Sequence, residues 1–277
     1  MHRKNSVGQI ISHIVILILL FLSLYPLILM LIKSVKTIDQ EIHHGFALTF
    51  PFNWSNYSLA WKYVGGYILN TFLISVLNTF GILLATSTMA YGFTRYEFKG
   101  KNALFMAVLA LTMIPGILTL IPQYCMVKNF NMINTRLGVI LPTIAGSLPM
   151  GVLLLRTFFN GLPGGLFEAA SLDGANSFEM FFMIAVPLSV PILATLGLTS
   201  FLGSWNDLIW PQLILRRDNL QTITIAMTSF TTNYYNTTHS YAVPMAGYVI
   251  VSAPLLILFA FTSKQFIAGL TSGAFKM

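Results

Sequence analysis

Six stretches of the chain contain no Asp, Glu, Lys or Arg: residues 14–32, 67–94, 103–127, 137–155, 180–206 and 242–263. An α-helix rises ~1.5 Å per residue, so about 20 mostly apolar residues cross the ~30 Å hydrocarbon core of a bilayer. The stretches therefore predict an all-α integral membrane protein with six transmembrane helices, near 10–32, 67–93, 103–125, 137–157, 184–206 and 242–263. Only 8% of the 277 residues are charged, against roughly a quarter in soluble chains, so most of the outer surface faces lipid. The 22 Phe and 11 Tyr exclude disorder, and the single Cys125 excludes a disulfide framework. The net charge of +7 arises from basic residues scattered between apolar runs. They make no basic face, which argues against nucleic acid as a partner.

Arg3 and Lys4 before the first apolar run imitate a secretory signal, but the run is long and no small-residue cleavage site closes it. It reads as an uncleaved first helix. With six spans both termini lie on one side, and basic residues should be richer on the cytoplasmic side. If the N-terminus is cytoplasmic, the inside set is Arg3, Lys4, Arg95, Lys99, Lys101, Arg156, Lys264 and Lys276. The outside set is Lys33, Lys36, Lys62, Lys128, Arg136, Arg216 and Arg217. The count is nearly even, so charge gives only a small vote for cytoplasmic termini.

Three segments lie between spans. Residues 33–66 form an outer loop with Trp54 and Trp61 as interfacial anchors. Residues 207–241 form a second, extracytoplasmic loop rich in Thr, Asn and Tyr, and residues 160–184 form an inner segment. Its local chemistry predicts two short helices around a break. Pro163 opens the first, Gly174 suits a left-handed C-terminal position, and Asn176 caps the second with Glu179 at the third helical position. Ala169, Ala170, Gly174 and Ala175 leave a low surface that permits close approach by another protein. By spacing alone, an ordinary helix-turn-helix connector is the favoured reading.

The order of residues adds more. Glu168-Ala169-Ala170, Gly174, Ile184 and Val186-Pro187 stand at the spacing of the EAA loop of ABC-importer permeases, with Val186 where Leu is usual. Asn56-Tyr57, Asn70-Thr71, the run Tyr91 to Lys101, Met113-Ile114-Pro115-Gly116, Ile121-Pro122, Asn134-Thr135, Asp173-Gly174-Ala175, Pro187-Leu188 with Pro191, and Trp205-Asn206-Asp207 follow in order. The chain resembles, over nearly its whole length, the carbohydrate (maltose-type) branch of that family. The tail from Gly269 to Lys276 resembles the family ending but has Phe275 for Val and no final Gly.

The resemblance implies a type I ABC-importer permease bundle in the plasma or inner membrane, with N- and C-termini cytoplasmic. It implies a second homologous permease subunit, two cytoplasmic ATPase subunits, an extracytoplasmic solute-binding protein and a sugar or oligosaccharide substrate. The chain itself would be non-catalytic and need no cofactor. It contains no Gly-x-x-x-x-Gly-Lys-Ser/Thr phosphate loop, so ATP and Mg would sit on the partner ATPases. Residues 160–184 would be coupling helices, with Glu168, Ala169, Ala170, Asp173 and Gly174 at the ATPase joint. The segment 211–241, with Tyr234, Tyr235 and Tyr241, would reach the solute-binding protein.

A sugar path should be polar but uncharged. Thr71, Ser75, Asn78 and Thr79 share a face of span two, and Ser200, Gly203, Ser204 and Asp207 share one of span five. Polar residues in lipid face the bundle interior, where contact between helices is favoured over contact with substrate. Asn78, Ser200, Trp205, Asn206 and Asp207 are the path candidates. The alternative reading is a secondary transporter or channel for small neutral solutes. It would usually need ionisable residues at membrane depth, and the spans offer only Asp207 and His13 at their edges. An intramembrane serine protease is disfavoured because every His lies in or near a loop or at the N-terminal edge, and His43-His44 alone is a poor metal site.

Overall fold

The computed structural model describes residues 6–274, with side chains described for 8–267. Arg3, Lys4 and Lys276 of the charge count, and the side chains of the tail motif from Gly269, lie outside those bounds. In chain order the helices are α1 (Ser6–Ser34), α2 (Ile38–His43), α3 (Ser55–Arg95), α4 (Lys101–Ala110), α5 (Gly116–Asn129) and α6 (Arg136–Asn160). They continue with α7 (Gly164–Leu172), α8 (Ser177–Met180), α9 (Val186–Leu188), α10 (Val190–Asn206), α11 (Ile209–Ile214), α12 (Ile223–Thr238) and α13 (Ala242–Ala274). No strand occurs among the described residues.

Four helices are long and apolar enough to cross a bilayer unaided: Gly8–Ser34, Ser55–Arg95, Arg136–Asn160 and Ala242–Ile267. The third and fifth expected spans are broken. Lys101–Met113 meets Gly116–Asn129 at 102°, and Ser177–Leu188 meets Val190–Asn206 at 79°. With each bent pair taken as one crossing, the spans number six. Proline causes both breaks. Ile114, before Pro115, is extended at ψ 117°, because the proline ring excludes the helical conformation from its predecessor. Pro187 and Pro191 remove backbone donors around Ser189, and a π-helical turn, Phe181–Ala185, precedes them. The uniform spans expected at 103–125 and 184–206 therefore give way to angled pairs.

Two loop expectations also change. Helix α3 begins at Ser55, well before residue 67, and the segment 207–241 is mostly helical, in α11 and α12. Neither is an open polar loop, because each finds an apolar surface to cover.

The chain forms two compact units. Among the described residues the first comprises 6–66 and 226–253. Here Asn56 Nδ2 donates to the carbonyls of Ser34 (2.9 Å) and Lys36 (2.8 Å), and Tyr63 stacks on Phe230 at 4.5 Å. The second comprises residues 67–225 and 254–274. Its α3 and α6 approach closely where small residues permit. A Cβ at Gly81 would lie 2.3 Å from Ile144, and one at Gly151 would lie 2.4 Å from Thr86. Small residues at such crossings let backbones pack where lipid supplies no hydrophobic drive. One cluster of this unit joins Ile74, Val127, Val139, Ile140, Trp210, Ile214 and Leu215, which seats α11 against α5 and α6.

Candidate functional site

The segment between α6 and α10 is a hairpin built by its caps. Pro163 precedes the first turn of α7. At the other end Gly174 takes φ +87°, Gly174 N donates to Ser171 O (3.2 Å), and Ala175 N donates to Ala170 O (2.9 Å). That pair of bonds is a Schellman stop, which needs a left-handed residue where Gly stands. Asn176 then caps α8, its Oδ1 accepting from Phe178 N and Glu179 N, both at 3.0 Å, while Glu179 Oε2 accepts from Asn176 N at 2.7 Å. The capping box predicted by the residue order is present.

Phe167 is the buried residue of α7. It enters a cluster with Ala90, Tyr91, Leu155, Phe159, Phe181, Ala185 and Ile192. The opposite face is open: Glu168, Ala169, Asp173 and Gly174 are exposed and Ala170 is half-buried. Around them Leu172 is 89% and Phe178 71% exposed. Large apolar side chains so uncovered beside two carboxylates and a run of small residues form a surface suited to a protein partner. Residue order pointed to the acids and the small residues. It missed Phe167, which packs the inner face, and Leu172 and Phe178, which are uncovered on the outer one, because a short amphipathic helix leaves too few turns for periodicity to tell inside from outside.

Part of the polar stripes of α3 and α10 bonds to neighbouring segments, while Thr79 Oγ1 donates to Ser75 O of its own helix. Asn78 is buried and its Nδ2 donates to Ser204 Oγ at 2.7 Å. Thr71 Oγ1 accepts from Ile223 N at 2.7 Å, and Asn70 Oδ1 accepts from Arg136 Nε at 2.6 Å. The path candidates do not share one surface. Trp205 is 1% exposed and stacks on Phe201 at 5.7 Å. Asn206 is exposed with its amide on Leu202 O (2.9 Å), and Ser200 and Asp207 are half-buried. Burial pushes the Asp207 carboxyl above its usual range, opposed by the backbone N–H groups of Trp210 and Ile209. Desolvation disfavours the charged form, and those bonds recover only part of it. Consecutive residues at the end of a helix point in different directions, so the triplet that reads as a unit in sequence is divided among core, edge and surface.

In the first unit, Glu41 of α2 bonds to the start of α13. Its Oε2 accepts from Ser240 Oγ (2.5 Å), Tyr241 N (2.9 Å) and Ala242 N (3.1 Å), at the start of α13. Lys33 lies 3.6 Å from Oε1. Nearby, a cavity of about 440 Å³ is lined by Lys36, Asp39, Asn53, Asn56 and Tyr234, among others. Burial lowers the Lys36 ammonium from its usual range, with Glu41 opposing and Lys33 adding to the shift. Tyr235 stacks on Tyr241 at 4.4 Å. Glu41 escaped sequence reasoning because its partners lie about 200 residues away. Among the described residues no group of three or more His, Cys, Asp or Glu could hold a metal ion.

Comparison with known proteins adds an independent line. The family model for binding-protein-dependent transport system inner membrane components matches residues 78–270. The Probable ABC transporter permease protein YurM of Bacillus subtilis is 30% identical over 99% of this chain and 91% of its own length. The Arabinooligosaccharides transport system permease protein AraQ of Halalkalibacterium halodurans is 32% identical over 92% of each. The Maltodextrin transport system permease protein MalD of Streptococcus pneumoniae is 28% identical, covering 99% of this chain and 97% of its own. Among solved structures, a bacterial ABC transporter involved in the import of the acidic polysaccharide alginate superposes with TM-score 0.82 at 20% identity, covering 96% of this chain and 99% of that one.

Proposed function

The chain belongs to the family of binding-protein-dependent transport system inner membrane components, and from that premise we propose that it is a permease subunit moving a sugar or oligosaccharide into the cell. Its relatives include permeases named for arabinooligosaccharides and maltodextrin, which supports a saccharide substrate. On this reading a solute-binding protein delivers the sugar outside, a second permease subunit completes the pathway, and two ATPase subunits inside bind ATP and Mg.

The observation that carries the mechanism is the exposed face of the α7–α8 hairpin. Glu168 projects from it, Ala169 and Ala170 keep it low, and Asp173 and Gly174 close the turn. In the proposal this face docks on an ATPase subunit at the cytoplasmic side, where Glu168 makes a charge-assisted hydrogen bond to a basic partner. Both termini then lie in the cytoplasm. ATP-driven closure of the ATPases moves the hairpins and switches the bundle between inward-facing and outward-facing states. The breaks at Pro115 and Ser189 supply joints for that motion. Ser200, Asn206 and Asp207 offer polar atoms to the sugar in this scheme, with Asn78 and Trp205 behind them. The outer segment with Tyr234, Tyr235 and Tyr241 meets the binding protein.

Reconstitution in liposomes with the ATPase, partner permease and binding protein tests the reading. Labelled sugar uptake should require ATP and every partner. Uptake by this chain alone, without an ATPase, would overturn it.

A further inference from the structure

Resting on the reading that α7 docks on an ATPase, we infer that Arg95 is a positioning residue: it clamps Phe167 and so ties the docking hairpin to the inner end of α3. Helix α7 has nine residues, and Phe167 is its one buried side chain. The Arg95 guanidinium carbon lies 3.4 Å from the centre of the Phe167 ring. A planar cation at that distance covers the ring face, and the attraction strengthens where water is excluded. Arg95 as a whole is half-buried, but its Nε and Nη2 are shielded and make no hydrogen bond. The face of the Phe167 ring lies directly over that guanidinium.

The second limb of the hairpin is seated on the same turn. Tyr91, four residues before Arg95 and on the same side of α3, meets the Phe181 ring edge-on at 5.2 Å. Phe181 directly follows α8 and opens the π-helical turn that leads to the break at Ser189. The last turn of α3 therefore holds both limbs through two aromatic contacts. Glu168, the neighbour of Phe167, faces the other way. A displacement applied at Glu168 reaches α3 through Phe167, and the break at Ser189 is the place where the chain yields.

The contact explains why a guanidinium stands here. A Lys keeps the charge as a point, whereas Arg presents a plane that stacks. Without the clamp the hairpin would still insert, because the apolar cluster around Phe167 remains, but its motion would no longer be delivered in full to α3.

The test uses the assembled transporter in liposomes, comparing wild type with Arg95→Gln, Arg95→Lys, Phe167→Met and the double variant Arg95→Gln/Phe167→Met. The readouts are sugar transported per ATP hydrolysed and ATPase co-purification. Arg95→Gln and Phe167→Met should each lower the transport-to-hydrolysis ratio by about three- to tenfold. ATPase co-purification should hold, Arg95→Lys should restore part of the ratio, and the double variant should be no worse than the weaker single. Ratios equal to wild type in both single variants, or losses that multiply in the double variant, would overturn the clamp. The two sides of the contact are probed separately, so misfolding of one variant leaves the other to decide. Absence of ATP-dependent uptake in the wild-type complex would instead refute the permease reading itself.

Discussion

Gly174 offers a test of the hairpin in which backbone conformation is separable from packing. Its φ of +87° lies in the left-handed region, yet a Cβ placed there would meet no atom within 4 Å. Substitution by Ala is thus sterically free towards the surroundings and costs only the left-handed penalty, about 1–2 kcal/mol. Asn, which tolerates that region, should cost less. Pro should cost most, since its φ is locked near −65° and it removes the N–H that reaches Ser171 O at 3.2 Å. A penalty of 1–2 kcal/mol raises the open population of the hairpin by about 5- to 30-fold. Hydrogen exchange of the amides from Glu168 to Glu179 reads that population directly. Protection should fall in the order Gly, Asn, Ala, Pro, with α6 and α10 unchanged. Equal protection for Gly and Ala, or Asn falling below Ala, would refute the backbone argument.

Other outcomes follow from the same geometry. Glu168→Ala should weaken ATPase co-purification and uptake while leaving membrane insertion intact, because the side chain is exposed and bears no internal load; normal transport would remove Glu168 from the joint. Glu41→Ala should lower the thermal stability of the detergent-solubilised protein by about 2–4 kcal/mol, the cost of orphaning the buried Ser240 hydroxyl and the backbone donor at Tyr241. Ala242 N retains Ser240 Oγ at 3.1 Å, so it adds little to the loss, and Glu41→Gln should be milder. Asp207 has a raised carboxyl pKa in the folded state, so that state binds the proton more readily than the unfolded chain. Stability should therefore fall as pH rises from the ordinary Asp range through the raised value. Asp207→Asn should remove that part of the pH dependence, measured as the unfolding midpoint across the window.

Much of the hairpin was legible in the residue order, because caps are local. Asn176, Glu179, Gly174 and Pro163 interact within a few residues, and backbone preference alone predicts where they sit. The broken spans were half legible. Pro115, Pro187 and Pro191 marked the positions, but a proline inside an apolar run is compatible with a mild kink or a sharp corner, and the angle depends on what each half packs against. The segment 207–241 was misread as a loop because its Thr, Asn and Tyr look solvated, whereas α11 buries Trp210 and Ile214 and Arg216 N donates to Asn134 Oδ1 at 2.7 Å.

The sequence by itself determined that this chain is a membrane bundle, which apolar stretches are long enough to cross a bilayer, and which short motif makes it resemble a permease. Those properties are set by apolar length and by local chemistry, both additive along the chain. Only the tertiary structure decided which side chains meet: Arg95 over Phe167, Glu41 beneath the start of α13, Asn78 on Ser204, Trp205 in the core. Such pairings depend on how helices cross and rotate, and crossing angle and rotation arise from packing between segments far apart in the chain.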